Sequence, residues 1–175
     1  MVGNITYWLD ANKRLAALDD TWTKAAIDNP ALAPDALVGR PLADFIAGDA
    51  PRMHVYTILD AVRLLGQARS AIYRCDSPEA RRSFEMRVSL EPSGLLRVEH
   101  HLVKFEPVAD QPLFFTKPKA TWLRCSWCNR LMIDNRWIEA DRVPTDRIRK
   151  LAAVRYTVCG ECRTDMQTAV ENRGT

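Results

Sequence analysis

No apolar run in this chain of 175 residues approaches the roughly 20 needed to span a bilayer. The opening stretch, Met1 to Asp10, also lacks a basic segment followed by an apolar one. A cytoplasmic protein without a membrane partner is therefore expected. Neither sign of charge dominates: 25 Lys and Arg against 22 Asp and Glu leave a net +3, spread along the sequence. That is far from the basic concentration that phosphate binding needs, so nucleic acid is not the expected partner. The usual enzyme signatures are missing too. There is no G-x-x-x-x-G-K-[ST] loop, no G-x-S-x-G elbow and no H-E-x-x-H pair, and no catalytic residue is assigned. Cysteine is scarce, at five residues, yet four of them form two C-x-x-C pairs while Cys75 stands alone.

What is present is an ordinary folding composition, 47% hydrophobic with 27% charged residues. The length suits one domain with an appended module. Ile5 to Asp10 and Leu15 to Leu18, separated by Ala11-Asn12-Lys13, predict a hairpin. Asp19 or Asp20 can cap a short helix carrying Trp22, Ala25, Ala26 and Ile27, which ends before Asn29-Pro30. Pro34, Gly39 and Pro41 mark a loop, and Pro41 can start a helical turn through Phe45 and Ile46. After Gly48-Asp49 a longer helix is expected, with an apolar stripe of Met53, Tyr56, Thr57, Leu59, Ala61, Val62 and Leu65. The period then changes to two: Phe84, Met86, Val88 and Leu90 alternate with Glu85, Arg87 and Ser89, as in a half-buried strand. Ala71 to Cys75 and Leu95 to Phe105 read as its antiparallel partners, the latter joined through Pro92-Ser93-Gly94.

The resulting order is strand, strand, short helices, long helix and three antiparallel strands. With Tyr7-Trp8-Leu9-Asp10-Ala11, Gly39 to Ile46 and Tyr73 to Pro78 followed by Arg81-Arg82, the first part of the chain resembles a PAS domain of bacterial signalling proteins. The resemblance implies an α+β fold, a PAS-like five-stranded antiparallel sheet with flanking helices over residues 1–107. Pro107, Pro112 and Pro118 interrupt all periodicity, so 108–119 reads as a linker.

The remaining segment, 120–175, holds Cys125-Ser-Trp-Cys128 and Cys159-Gly-Glu-Cys162. Two such turns facing each other supply a tetrahedral sulfur set, which suits a structural zinc ion in a small zinc-ribbon-like module with a C-terminal helix. The 30 intervening residues can hold Trp137, a helix from about Thr145 to Ala153 and an apolar patch of Ile138, Ile148 and Leu151. Closing a loop of that length costs little extra entropy. Gly160 is read as permitting the tight backbone that points amides at sulfur. A redox-active thiol pair is the alternative, whereas covalent haem attachment fails because Asn129 and Arg163, not histidines, follow the pairs. The pattern Cys125-x-x-Cys128, Trp137 followed by Glu139, then Cys159-x-x-Cys162 is similar to a cysteine-rich module attached to bacterial PAS and response-regulator proteins. Where that module carries a histidine before its second pair, this chain has Tyr156-Thr157-Val158.

His54 lies near the place where haem-binding PAS sensors carry their axial histidine, which makes it a candidate haem ligand; a solvated or hydrogen-bonded histidine is the preferred reading. His100 shares a strand face with Leu96, Val98 and Leu102 as a core histidine, and His101 points the other way. Cys75 is expected to be a half-buried structural thiol. Arg69, Arg74, Arg81, Arg82 and Arg87 read as a solvated basic face, and the five tryptophans as filling two cores. The expected function is non-enzymatic: a sensory or protein-interaction protein of signal transduction, acting as a homodimer with a signalling partner. The alternatives are a haem or redox sensor, or a DNA-binding regulator using Arg142, Arg147, Arg149, Lys150 and Arg155 on and near the helix between the cysteine pairs.

Overall fold

The computed structural model describes residues 4–22, 34–109, 111–144, 147, 148 and 150–171. The chain forms a mixed α+β structure with two five-stranded sheets, and it divides into two compact units that do not follow a linear boundary near residue 107. One takes Met1–Ile46, Val55–Tyr73 and Phe84–Val103; the other takes Ala47–His54, Arg74–Ser83 and Lys104–Thr175.

The first sheet contains β1 (Ile5–Leu9), β2 (Leu15–Leu18), β3 (Arg69–Arg74), β4 (Ala80–Leu90) and β5 (Leu96–Pro107), in the order β2-β1-β5-β4-β3. The expected hairpin is present. Its turn is tied by Asp10, whose Oδ1 accepts from the backbone N–H groups of Asn12 and Arg14 at 2.8 Å each. β1 also runs antiparallel to β5, with Tyr7 opposite Val98 and Leu9 opposite Leu96. The period-two pattern of β4 holds where it matters: Phe84, Met86 and Val88 are buried, while Leu90 at the strand end is exposed. Gly94, at φ +83°, supplies the left-handed residue of the β4–β5 connection.

Only Asp20–Trp22 of the first expected helix falls among the described residues, and these are helical; Ala25, Ala26 and Ile27 lie outside them. A short helix follows at Pro34–Leu37, then a 3-10 turn at Leu42–Phe45 and the long helix at Asp49–Leu65. The long helix buries only part of the expected stripe: Leu59 and Val62 are fully buried as expected. Val55, Ile58, Leu59 and Val62 are buried at i, i+3, i+4 and i+7, whereas Met53 and Leu65 are exposed. A segment with apolar residues at so many positions supports several overlapping stripes, and packing selects one.

The second sheet contains β6 (Leu113–Thr116), β7 (Trp122–Cys125), β8 (Leu131–Ile133), β9 (Arg136–Ile138) and β10 (Leu151–Thr157), in the order β6-β10-β7-β8-β9. β6 lies inside the stretch expected to be linker. β10 is parallel to both β6 and β7, whereas β7, β8 and β9 form an antiparallel meander. The helix expected over 145–153 is corrected here: Leu151, Ala152 and Ala153 begin β10, Arg147 and Ile148 lie in a turn, and 145, 146 and 149 are outside the described residues. Ala and Leu favour helix locally, but a strand hydrogen-bonded on both edges overrides that preference. The core behind this sheet joins Leu131, Ile133, Ala140, Val143, Ile148, Ala152 and Val154, with Phe114, Trp122, Ile138 and Tyr156 against it. Of the expected apolar patch, Ile138 and Ile148 take part, while Leu151 is exposed.

Candidate metal centre

Parallel pairing of β7 and β10 decides where the cysteines meet. Thr157 stands opposite Cys125 at the same end of the sheet, so each strand delivers its C-x-x-C pair to that end. The first pair sits in a tight turn. Asn129 adopts φ +63°, its N–H donates to the Cys125 carbonyl at 3.0 Å, and the Cys125 N–H donates to the Arg130 carbonyl at 2.8 Å. In the second pair, Cys159 immediately precedes the helix Gly160–Glu171 and Cys162 lies in its first turn. Ser126 stitches the two together, its N–H and Oγ–H both donating to the Thr157 carbonyl, at 2.8 and 3.1 Å.

All four Sγ atoms lie within 4.8 Å of one another, and all four cysteines are buried and free of disulfides. A tetrahedron with metal–sulfur bonds of about 2.3 Å has sulfur–sulfur edges of about 3.8 Å. The Cys128 and Cys159 Sγ atoms are 3.8 Å apart. Trp127, Trp137, Met166 and Val158 pack around the cluster and limit water. The backbone contributes N–H groups directed at sulfur, Cys159 N to Cys125 Sγ at 3.4 Å and Cys162 N to Cys159 Sγ at 3.5 Å. Gly160 is not what permits this: it has no left-handed φ, and a Cβ there would meet nothing within 4 Å. The left-handed residue is Asn129.

The electrostatics of the bare thiols fit a cation site. Hydrogen bonds from the Cys128 and Cys162 thiols, then from backbone amides, hold Cys125 far below the usual thiol range. Donating to Cys125 and Cys128 pushes Cys162 far up, and burial pushes Cys159 up to about 11. One thiolate is thus favoured at the expense of its neighbours, and a bound dication is what lets all four ionise together. Arg130 stands beside the cluster, its guanidinium held charged by Glu161, at 2.6 Å, and by Cys128.

Three residues whose part in this region the sequence reading passed over brace the first turn. Arg74 places Nη1 on both Glu139 oxygens at 3.0 and 2.9 Å, and Nε and Nη2 on Asp76 at 3.2 and 2.6 Å. Its backbone N–H donates to the Trp127 carbonyl at 2.9 Å. The position of Glu139 two residues after Trp137 was the available signal; nothing local marks Arg74 or Asp76 as its partners.

The basic stretch is consequently no simple solvated face. Arg81 pairs with Asp141 at 3.1 Å, Arg82 Nε donates to the Cys75 carbonyl at 2.8 Å, and Arg87 pairs with Glu85 at 2.8 Å. Cys75 is exposed rather than half-buried. The His54 ring stands edge-on to Trp127 with centroids 5.1 Å apart. His100 is half-buried between two phenols, Tyr73 Oη at 2.8 Å from Nδ1 and Tyr7 Oη at 3.2 Å from Nε2, and burial lowers its pKa to about 4. Within the arginine group expected near the second pair, Arg147 pairs with Asp134 at 2.7 Å and Arg155 Nε donates to the Ala120 carbonyl at 2.8 Å. The five tryptophans are spread over four places: Trp8 donates to Glu91, Trp22 packs on Tyr7, Trp122 joins the second core, and Trp127 and Trp137 line the cysteines.

Among the described residues, no helix is long and apolar enough to cross a membrane. No protein-family model matches the chain, and no curated protein matches it significantly.

Proposed function

We propose that the protein is a non-enzymatic sensory or protein-interaction component of bacterial signal transduction, stabilised by a structural zinc ion on Cys125, Cys128, Cys159 and Cys162. The observation that carries the metal reading is the convergence of four buried Sγ atoms within 4.8 Å. Zinc is the ion of choice because a closed set of four thiolates leaves no open coordination position and suits a d10 dication with no geometric preference of its own. The ion's role here is support. The second sheet and its core are small, and a metal clip supplies folding energy that so few buried side chains do not.

The PAS-like reading of the first sheet is supported by its chain order and by β1 lying between β2 and β5 in the order β2-β1-β5-β4-β3, with the long helix inserted before β3. The His54 ring against Trp127 favours a packing role for that histidine over haem ligation. Output is through contact, with a second copy of the chain and with a signalling partner.

Two experiments test the reading. Co(II) substituted into the purified protein gives the intense visible bands of a tetrahedral tetrathiolate site, with no Soret band before substitution. A weak octahedral Co(II) spectrum overturns the metal site, and a Soret band overturns the haem-free sensor. Light scattering at micromolar concentration gives twice the chain mass of 19.9 kDa; a monomer throughout that range removes the dimer.

A further inference from the structure

Resting on the reading of the chain as a homodimer, we infer that two copies join through β6, whose open edge pairs antiparallel with the same edge of the second copy about a two-fold axis at Phe115. Two features of the second sheet lead there, the backbone of its edge and the side chains along it.

β6 ends the sheet and, among the described residues, pairs with β10 alone. Successive residues of a strand turn their backbone groups to opposite sides. The Leu113 N–H donates to the Lys150 carbonyl at 2.8 Å and the Lys117 N–H to the Val154 carbonyl at 3.0 Å. Residues 113, 115 and 117 therefore face β10, and Phe114 and Thr116 turn their N–H and C=O groups to the open edge. Pro112 and Pro118 fall on that same outward side, and neither has an N–H to offer. Proline at the outward positions of an edge strand shortens the stretch that another strand can use. What is left is a window of two donors and two acceptors, closed at both ends.

The symmetry of the window selects its occupant. The prolines stand three residues before and three after Phe115, and the two outward residues one before and one after. A two-fold axis at Phe115 thus carries donors onto acceptors and each block onto the other. Phe114 exchanges both backbone bonds with the partner's Thr116, and Thr116 does so with the partner's Phe114. The side chains agree with this pairing. Leu113, Phe115 and Leu151 are 55%, 44% and 59% exposed. Register sets Leu113 beside Leu151 and Phe115 beside Ala153, on the face opposite the core that holds Phe114, Ala152 and Val154. Across the axis the two Phe115 rings form a directly opposed aromatic pair, and Leu113 lies against the aliphatic stem of the partner's Lys117. No like charges oppose one another. The two five-stranded sheets become one continuous sheet, joined by a small interface whose affinity belongs in the weak, transient class.

The experiment uses the full, metal-loaded chain. Light scattering across micromolar concentrations is compared for the wild-type chain, Thr116→Val and Thr116→Pro, and a Cys75→Ser, Phe115→Cys chain is exposed to oxidised glutathione. Thr116→Pro removes an outward N–H and touches no bond to β10; the tetrathiolate Co(II) bands report that its second sheet is intact. The dimer dissociation constant is expected to rise at least about tenfold in Thr116→Pro and to stay unchanged in Thr116→Val, which keeps the N–H. The Phe115→Cys chains are expected to link as covalent dimers, because directly opposed residues of this kind have Cα atoms about 4.5 Å apart, inside the disulfide range of about 4.4–6.8 Å. A wild-type dimer that Thr116→Pro leaves equally tight overturns the interface and leaves the dimer reading standing. Absence of the covalent link while the wild-type chain is dimeric overturns it as well, without the proline variant. A wild-type chain that stays monomeric overturns the dimer reading itself, and the interface with it.

Discussion

At the scale of single residues, two half-buried polar groups carry sharp expectations. His100 is held neutral: burial, with a smaller contribution from His101, lowers its pKa to about 4 from an ordinary value near 6.5. Between those values the unfolded chain binds a proton that the folded one does not. The contribution is therefore fully present above about pH 6.5 and is lost as pH falls toward 4, at up to about 1.4 kcal/mol per pH unit within that window. Urea denaturation at pH 7.5 and pH 5 should show the loss in the wild-type chain and a smaller one in His100→Phe; equal losses in the two would remove this account. Arg74 poses the opposite problem. Burial disfavours its charge, but hydrogen bonds and charge from Asp76 and Glu139 outweigh the penalty and raise its pKa. The Asp76 side chain is only 2% exposed, so Arg74→Met leaves a buried carboxylate without its cation. A loss of about 3–5 kcal/mol is expected, measured as a lower denaturation midpoint. Asp76→Asn with Arg74→Met should recover part of it, because the stranded charge is then absent. The inward placement of His100 was legible from its strand face, but the partners of Arg74 were not. A charge shows its partner only after the fold brings them together.

At the scale of elements, legibility followed the range of the interactions. β1, β2, β4 and β5 were readable because alternation and turn residues are local signals, and β4 buried three of the four side chains its period indicated, all but Leu90 at its end. The long helix was found, but its buried face only in part: Leu59 and Val62 were read correctly and Val55 and Ile58 were not, since several apolar stripes coexist on it. β10 was misread because Leu151, Ala152 and Ala153 are good helix formers, and their strand state comes from partners about 30 to 40 residues away in sequence. The β8–β9 hairpin was missed for a different reason. Its turn is Asp134-Asn135, with φ +46° and +61°, the paired left-handed geometry that Asn-Gly most often supplies. Asn135→Gly should be neutral or stabilising by up to about 1 kcal/mol, while Asn135→Val should cost about 1–2 kcal/mol, because a β-branched residue resists positive φ. Thermal unfolding of the two variants decides it; equal midpoints would mean the turn does not constrain the hairpin.

At the scale of the whole molecule, the four cysteines were the most legible feature, because the spacing within each pair is local even though the pairs are 30 residues apart. What spacing could not supply is how they meet. That comes from β10 running parallel to β7 and carrying the second pair to the end where the first one waits. The same unit gathers Ala47–His54 and Arg74–Ser83, so stretches from the first part of the sequence brace a site built by the last. Removing the metal should consequently loosen more than the cysteine turns. Amide exchange is expected to rise in β7, in β10 and at Arg74, whose N–H is bonded to the Trp127 carbonyl; protection unchanged at Arg74 would confine the effect to the cysteine turns. The most direct test of the central claim is elemental analysis of the purified chain, paired with circular dichroism of Cys125→Ser. The account predicts one zinc per chain, lost in the variant together with the ordered signal of the second sheet. A wild-type chain that folds fully with no metal bound would contradict it.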